Sequence, residues 1–253
     1  MTEIPKSHPR YASLLSRERI ADGVKKGLTS TQGMIAQGRG EAFDYLMGEK
    51  TNPSAAAATR AAAAMLLLAK HPVLSINGNV AALIPEGMVQ LAGDIHAPLE
   101  VNLFHRTEER VKRIADLLRN LGAARVLGEN PDTMIPGLDH SRAKATIGGI
   151  YDADVVLIPL EDGDRCEALI AMGKKVIAID LNPLSRTGRM ATITIVDNIV
   201  RAVPNIISTL RQLREAPMEE LRGILDNYDN DITLRQAVDE IQAHLDQQFK
   251  QAL

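Results

Sequence analysis

The segment DLNPLSRTGR, residues 180–189, carries the densest group of polar side chains in the sequence. A carboxylate can accept hydrogen bonds from ribose hydroxyls, amides and hydroxyls can contact a base or a phosphate, and a guanidinium pairs with phosphate. A nucleotide would use all of these groups, whereas a surface loop held by local turns is the simpler alternative. We favour a nucleotide site, whose candidates are Asp180, Asn182, Ser185, Arg186, Thr187 and Arg189.

Arg39 stands between Gly38 and Gly40 in the segment QGRGE. Because neither neighbour has a side chain, a large anion can approach both the guanidinium and the backbone. Arg39 is therefore the best single candidate for a phosphate ligand. Glu41 and Asp44 could share a Mg²⁺ ion, but paired acids at a helix start more often interact with the helix dipole, and we prefer this second interpretation.

Two further segments could bind an anion, because each follows a predicted strand. Asn77, Gly78 and Asn79 would present backbone N–H groups of the following helix, or they form an ordinary turn with an asparagine cap. Arg106, beside His105 at the next strand end, could accept a phosphate, and the alternative is a solvated helix start. Both interpretations stay open for each segment.

The remaining polar candidates are weaker. His140 and Arg142 lie in the segment LDHSRAK, which could bind a second anion or be an ordinary solvated loop. Asp197 and Asn198 are explained more simply as an N-cap. Cys166 lacks an evident neighbouring base, so we interpret it as a packing residue.

From residue 73 onward, short β-rich segments alternate with helical ones, which is typical of parallel βα units. We predict an α/β fold with a Rossmann-like, mostly parallel sheet of about six strands and helices on both faces. Ligands of such sheets collect beyond the carboxyl ends of the strands, so the candidates should meet at one edge. The predicted strands are residues 73–76, 99–104, 124–127, 154–160, 175–180 and 191–196, and the predicted helices are 80–92, 107–121, 163–172 and one from about Asp197.

Helical segments flank this core on both sides, and we expect one α/β domain over residues 1–253. It would consist of an N-terminal helical region (1–72), a Rossmann-like core (73–214) and a C-terminal helical tail (215–253). The apolar stripe of the tail either closes the core or joins a second subunit. Its members are Leu234, Val238, Ile241 and Leu245.

Glycine and proline mark the elements of the N-terminal region. Gly33, Gly38 and Gly40 predict a loop that leads into a short helix from about Glu41 to Met47. A third helix should begin at Asn52-Pro53-Ser54, and its alanine-rich sequence would allow close packing.

Composition excludes several classes of protein. The 253 residues include 29 basic and 32 acidic side chains, so the formal charge of -3 argues against a nucleic-acid-binding polycation. Cys166 is the single cysteine and cannot form an internal disulfide. The longest uncharged apolar run, residues 61–69, is far shorter than a membrane span, and the first ten residues lack the apolar core of a signal peptide. We expect a cytoplasmic protein without a transmembrane segment.

Several long strings together resemble one family, the archaeal 4-phosphopantoate-beta-alanine ligases, also called phosphopantothenate synthetases. The resemblance covers roughly residues 8 to 214 and is far more specific than a single glycine motif. The strings are HPRYASLLSRERI, QGRGEAFDYLMGE, NPSAAAATRAAAAMLLLA, LSINGNVAAL, LEVNLFHRTEERV, VVLIPLEDGDR and IAIDLNPLSRTGRMATITIVDNIVRAVP.

The resemblance implies a homodimeric, Rossmann-like enzyme of coenzyme A synthesis. It would join 4-phosphopantoate to beta-alanine with ATP and Mg²⁺, and release AMP and pyrophosphate. A reaction through an acyl-adenylate would give Arg39 a catalytic role, and His105 or His140 could accept the proton of the amine. The family's ATP positions fall here on Arg17, Arg39, Asp180, Leu181, Asn182, Arg186, Thr187, Asn198 and Ile199.

We expect 4-phosphopantoate at the anion-competent segments that ATP leaves free, namely Asn77, Gly78, Asn79, Arg106, His140 and Arg142. No residue identifies itself as a magnesium ligand. Two alternatives remain. An NADP-dependent oxidoreductase would use the Rossmann-like alternation and Arg106, although the first turn lacks GxGxxG. A non-catalytic nucleotide sensor would bind without turnover.

Overall fold

The computed structural model describes residues 4–252 and contains a six-stranded parallel sheet of order β3-β2-β1-β6-β7-β8. Counted along the chain, this is the 3-2-1-4-5-6 order of a Rossmann sheet, and the order reverses between β1 and β6. The predicted α/β fold is confirmed. The strands are β1 (Pro72–Ile76), β2 (Leu99–Val101), β3 (Val126–Leu127), β4 (Thr133–Met134), β5 (Lys144–Ala145), β6 (Val155–Pro159), β7 (Lys175–Ile179) and β8 (Ile193–Ile195).

Eleven helices lie in the described residues, and they cover both faces of the sheet. They are α1 (Tyr11–Lys25), α2 (Thr31–Leu46), α3 (Pro53–Leu68), α4 (Gly78–Leu83), α5 (Pro85–Asp94), α6 (Glu108–Asn120), α7 (Gly163–Ala171), α8 (Arg186–Met190), α9 (Ile199–Leu213), α10 (Met218–Asp226) and α11 (Asn230–Ala252).

The central strands are apolar because helices cover them on both faces. All five residues of β1 and of β6 are buried, and β6 pairs with β1 on one side and with β7 on the other. Successive side chains of a strand point to opposite faces of the sheet. Leu157 packs on the face that α3 and α9 cover. Val156 packs on the opposite face, with Cys166 of α7. Cys166 is fully buried, as expected of a packing residue, and burial raises the pKa of its thiol to about 12.

Two sequence predictions for the helices are wrong. The predicted loop around Gly33, Gly38 and Gly40 is part of the continuous helix α2. A Cβ at Gly33 would lie 2.4 Å from Thr29 Oγ1 and 2.6 Å from Asn79 Oδ1, so this glycine serves close packing rather than a turn. The predicted helix 80–92 is two helices, because Pro85 begins a new one and holds Ile84 outside the helical region, at φ −149°.

The alanine-rich helix α3 fills a narrow space between the sheet and other helices. The alanines at 55, 58 and 61–64 are fully buried, and α3 packs against β8, α9, α10 and α11. Small side chains let these backbones approach closely, as the sequence predicts, and α3 begins with Asn52 and Pro53 at the predicted position.

The C-terminal stripe lies partly within the subunit. Leu234 and Ala237 are buried with Leu181 and Met47, and Ile241 packs against them. This small cluster joins α11 to α2 and to the end of β7, so the tail supports the carboxyl edge of the sheet. No helix within residues 4–252 has the length and apolar character needed to cross a membrane. The organisation as one domain stays a prediction.

Candidate active site

A two-lobed polar cleft lies at the carboxyl edge of the sheet, where the strand order reverses. The first lobe, of about 440 Å³, lies between α2, α8 and the ends of β6 and β7. The second lobe, of about 200 Å³, lies between the start of α2, α6 and the ends of β1 and β2. Open α/β sheets bind ligands at this position. The lobes adjoin, because both are lined by Ala36, Asn79, Leu160 and Asp162.

The end of β7 presents Asp180 to the first lobe. Its Oδ1 accepts a hydrogen bond from the Asn182 backbone N–H at 3.0 Å, and its Oδ2 accepts one from Ser185 Oγ at 2.6 Å. Ser185 in turn caps α8 by accepting from the Gly188 N–H. Burial raises the pKa of Asp180, while these hydrogen bonds and the charge of Arg39 oppose the increase. The carboxylate is therefore held rigidly at the cleft wall.

Arg39 belongs to α2 and lines the first lobe together with Asp180. It is exposed, and no ion pair among residues 4–252 involves it. Since Asp180 acts on it only at a distance and no ion pair holds it, the guanidinium is available to pair with an anion in the cleft.

Six residues that the resemblance assigns to ATP line this lobe together. Thr187 Oγ1 donates to the carbonyl of Glu161 at 2.8 Å and so ties α8 to the end of β6. The Arg186 side chain is 59 % exposed and contacts the Glu167 carboxylate. The six residues are Arg39, Asp180, Leu181, Asn182, Arg186 and Thr187.

Three other residues of that set lie elsewhere in the subunit. Arg17 pairs with Glu41 at 2.9 Å and lines a separate groove between α1 and α2. Asn198 is the N-cap of α9 and accepts from the Val200 N–H, as the N-cap interpretation predicts. Ile199 is buried in the core.

The acids of α2 bind arginines of other helices. Glu41 pairs with Arg17, and Asp44 Oδ1 lies 2.5 Å from Arg201 of α9. Because α2 begins at Thr31, these acids lie in its second half, and the dipole interpretation is wrong. Among residues 4–252, no three or more His, Cys, Asp or Glu side chains are grouped to bind a metal ion.

A buried charge cluster supports the wall between the two lobes. Glu161 follows β6, and its side chain is 1 % exposed. Its Oε1 lies 2.6 Å from Arg142 Nη2, and its Oε2 contacts Arg165 Nη1. Arg165 is fully buried, donates to Ser75 Oγ at 3.1 Å, and has its pKa lowered by burial. Glu161 therefore pairs with two buried guanidinium groups at once.

Arg142 and His140, two candidates for the second anion, are engaged by acids. Arg142 lines the second lobe but lies 3.0 Å from Asp162 as well as binding Glu161. The His140 Nε2 lies 2.7 Å from Asp164 Oδ2. The charge of Arg142 is compensated within the protein, and the His140 ring nitrogen is already bound to Asp164, so both are less available to a further anion.

The Asn77-Gly78-Asn79 turn builds the floor of the second lobe. Asn77 caps α4 by accepting from the N–H groups of Asn79 and Val80, as the cap interpretation predicts. A Cβ at Gly78 would lie 2.6 Å from the Leu28 carbonyl, so the close approach of the preceding segment requires glycine here. The Asn77 side chain therefore fixes the backbone at the start of α4, which borders the second lobe.

The start of α6 differs from the prediction made for it. His105 lines the second lobe, but Arg106 does not line it and instead pairs with Glu108 at 3.2 Å and donates to the Glu129 carbonyl. The arginine that reaches the lobe is Arg110, one turn further along. Sequence reasoning missed Arg110, Glu161 and Arg165. The helical spacing from Thr107 could have placed Arg110 near the strand end, whereas no local signal marks the burial of Glu161 and Arg165.

The strand order and the polar cleft at its reversal define a Rossmann-like α/β protein with a candidate ligand site at the carboxyl edge. A model of the phosphopantothenate/pantothenate synthetase family matches residues 54–244. The chain belongs to this family and is a ligase.

Relatives in three archaea match nearly the whole chain, and each is named 4-phosphopantoate--beta-alanine ligase. The protein of Methanosarcina mazei is 58 % identical over 97 % of this chain and 96 % of its own. The protein of Thermococcus kodakarensis is 57 % identical over 92 % and 90 %, and that of Methanospirillum hungatei is 50 % identical over 96 % and 98 %. The family resemblance is confirmed, and it replaces the oxidoreductase and sensor alternatives.

Proposed function

We propose that the protein is an ATP-dependent 4-phosphopantoate-beta-alanine ligase, which forms 4'-phosphopantothenate, AMP and pyrophosphate in coenzyme A biosynthesis. The names of the relatives support the substrates. The observation that carries the proposal is the two-lobed cleft, because a ligase must hold a nucleotide and an acid side by side. An ATP-consuming biosynthetic step also favours a cytoplasmic location.

In the proposed reaction, a carboxylate oxygen of phosphopantoate attacks the α-phosphorus of ATP, and the bond to pyrophosphate breaks. The amine of beta-alanine then attacks the acyl carbon of the adenylate, and AMP leaves. The protein needs no nucleophile of its own. Its contribution is to align the two substrates across the boundary between the lobes and to neutralise charge.

Asp180 and Arg39 act on ATP in the first lobe. Asp180 accepts hydrogen bonds from the ribose hydroxyls, and Ser185 and Asn182 hold its carboxylate in place. Arg39 pairs with the phosphates, because its guanidinium lies in the same lobe without an acidic partner. Arg17, Asn198 and Ile199 remain assigned to ATP by the resemblance alone.

His105 is the proposed acceptor of the amine proton. It lines the second lobe, whereas His140 is paired with Asp164. A neutral imidazole at this position could accept the proton as the C–N bond forms.

Mg²⁺ would accompany the triphosphate. This ion commonly binds through one or two carboxylates together with phosphate oxygens and water, so a protein cage is not required. Asp162 borders both lobes and its side chain is 44 % exposed, so it would hold the ion. Bound Mg²⁺ would neutralise phosphate charge.

A mass-resolved assay with ATP, beta-alanine and either 4-phosphopantoate or pantoate tests the function. We expect 4-phosphopantoate to give the higher kcat/KM, because the second lobe carries cationic groups that pantoate cannot use. Labelled pyrophosphate should exchange into ATP when phosphopantoate is present and beta-alanine is absent. Equal kcat/KM values contradict the substrate assignment, and exchange that requires beta-alanine contradicts the adenylate.

We also propose a homodimer, from the resemblance and from the exposed apolar residues Met34 and Ile35 on α2. Light scattering at micromolar concentration should give twice the chain mass of 27.5 kDa. A mass of one chain would contradict the proposal.

A further inference from the structure

Arg110 carries an uncompensated charge beside the second lobe of the cleft. It lies in the first turn of α6, where Nη1 donates to the His105 carbonyl at 2.5 Å and Nη2 donates to the Leu28 carbonyl at 3.2 Å. Its Nε is buried without a hydrogen-bond partner. Both partners are neutral carbonyls, so they orient the guanidinium without cancelling its charge.

Other arginines near this lobe are paired with acids. Arg142 binds Glu161 and Asp162, and Arg106 binds Glu108. No ion pair within residues 4–252 involves Arg110, and burial lowers its pKa with no acidic group opposing the decrease. Holding a cation half-buried without a counter-ion costs free energy, which an anionic ligand would recover.

The charges that line the second lobe therefore sum to a positive value. Arg142 and Asp162 lie 3.0 Å apart and largely cancel each other. Arg110 then remains as the permanent charge of this lobe. Such a lobe favours an anion with several acceptor oxygens, since a guanidinium offers five N–H donors and Arg110 uses two of them within the protein.

We propose that Arg110 binds the phosphate of 4-phosphopantoate and thereby determines the preference for the phosphorylated acid. The inference rests on the proposed function and refines it. The phosphate would occupy the second lobe, and the carboxylate end would extend past Asn79 and Asp162, which line both lobes, toward ATP in the first. Arg106, one of the sequence candidates for binding 4-phosphopantoate, does not line the lobe.

Arg110→Gln removes the charge and keeps hydrogen-bonding capacity. A charged hydrogen bond contributes about 1.5–3 kcal/mol, and a tenfold change corresponds to about 1.4 kcal/mol. We expect the ratio of kcat/KM for 4-phosphopantoate to that for pantoate to fall by about 10- to 150-fold, with the KM for ATP changed less than about twofold. Arg110→Lys should retain part of the preference, because it keeps the charge but loses the planar fork.

Arg113→Gln is the matched control. Arg113 lies one turn further along α6, donates to the Lys26 carbonyl at 3.1 Å, and does not line the lobe. Arg113 and Arg110 each donate a hydrogen bond to a backbone carbonyl of the segment before α2. If loss of such a hydrogen bond alone alters activity, both variants should show the effect. The proposal is overturned if Arg110→Gln leaves the ratio of the two kcat/KM values unchanged. It is also overturned if Arg113→Gln lowers this ratio as much as Arg110→Gln does.

A binding measurement separates this proposal from the proposed function. Inorganic phosphate and 4-phosphopantoate should each raise the melting temperature of the wild-type protein and of Arg113→Gln, and raise that of Arg110→Gln much less. An equal rise in Arg110→Gln overturns the role of Arg110. A wild-type protein that makes no product from ATP, phosphopantoate and beta-alanine contradicts the ligase reaction, whereas the melting experiment reports on Arg110 independently.

Discussion

Replacing Glu161 by alanine is expected to lower the free energy of unfolding by about 3–5 kcal/mol, the range for breaking a buried ion pair from one side. The change would leave Arg142 and Arg165 buried without their shared carboxylate, and the two guanidinium groups would repel each other. Arg165 already has two buried nitrogen atoms without hydrogen-bond partners, Nε and Nη2. Loss of Glu161 would remove the carboxylate from a guanidinium that water does not reach, and Nη1 would keep its hydrogen bond to Ser75 Oγ. Urea unfolding followed by circular dichroism measures the loss.

Glu167→Ala is the control for this variant. Glu167 pairs with Arg186, but the two side chains are 47 % and 59 % exposed, so water screens the pair and its loss should cost less than about 1 kcal/mol. A similar, small loss in both variants would show that the Glu161 cluster does not stabilise the fold. Because Glu161 lines the first lobe and pairs with Arg142 of the second, Glu161→Ala should also impair activity at temperatures where it remains folded.

Arg39→Ala is expected to reduce both net synthesis and pyrophosphate exchange by about 100-fold or more. In the proposed reaction, the guanidinium stabilises charge that shifts toward pyrophosphate as the α-phosphorus is attacked, and loss of such a group costs about 3 kcal/mol or more. Both rates should fall together, since they share the adenylate-forming step. Arg39 is exposed, so the melting temperature should hardly change.

Arg189→Ala serves as the matched surface variant for Arg39. Arg189 is exposed on the short helix α8 and does not line the first lobe. It should retain exchange and synthesis within about twofold, because its side chain does not line the cleft. A fully active Arg39→Ala enzyme would contradict the role assigned to Arg39. If Arg189→Ala reduced both rates as much as Arg39→Ala, the effect would come from the loss of any positive charge near the cleft and not from Arg39 in particular.

The positions of the central strands could be predicted because helices cover both of their faces, so their sequences are largely apolar. The segments VVLIP and KVIAI are such runs, and both form central or near-central strands. The β4 and β5 strands were missed, since each has two residues and pairs in a local ribbon without a periodic pattern. The glycines of α2 led to the wrong prediction of a loop, because the sequence does not distinguish a glycine needed for close packing from one needed for a turn.

The nucleotide candidates could be found in sequence because Asp180, Asn182, Arg186 and Thr187 are close together along the chain. Because ligands of open α/β sheets bind beyond the strand ends, a dense polar segment directly after a strand favours a ligand loop over a plain surface loop. Several residues that line the second lobe were also sequence candidates, namely Asn77, Gly78, Asn79, His105 and Arg142. The charge balance of this lobe could not be found in the same way. Its charge depends on which of Arg106, Arg110 and Arg142 meets a carboxylate, and those carboxylates come from other elements.

The sequence by itself determined the fold class, the ligand edge of the sheet and the resemblance to the family, because periodicity, strand ends and long shared strings are local properties. The tertiary structure decided which charges remain available for ligands. Asp162 and Glu161 neutralise Arg142, whereas Arg110 meets backbone carbonyls and keeps its charge. Coulomb energies depend on distance and burial, and folding sets both by bringing together residues that are far apart in the chain.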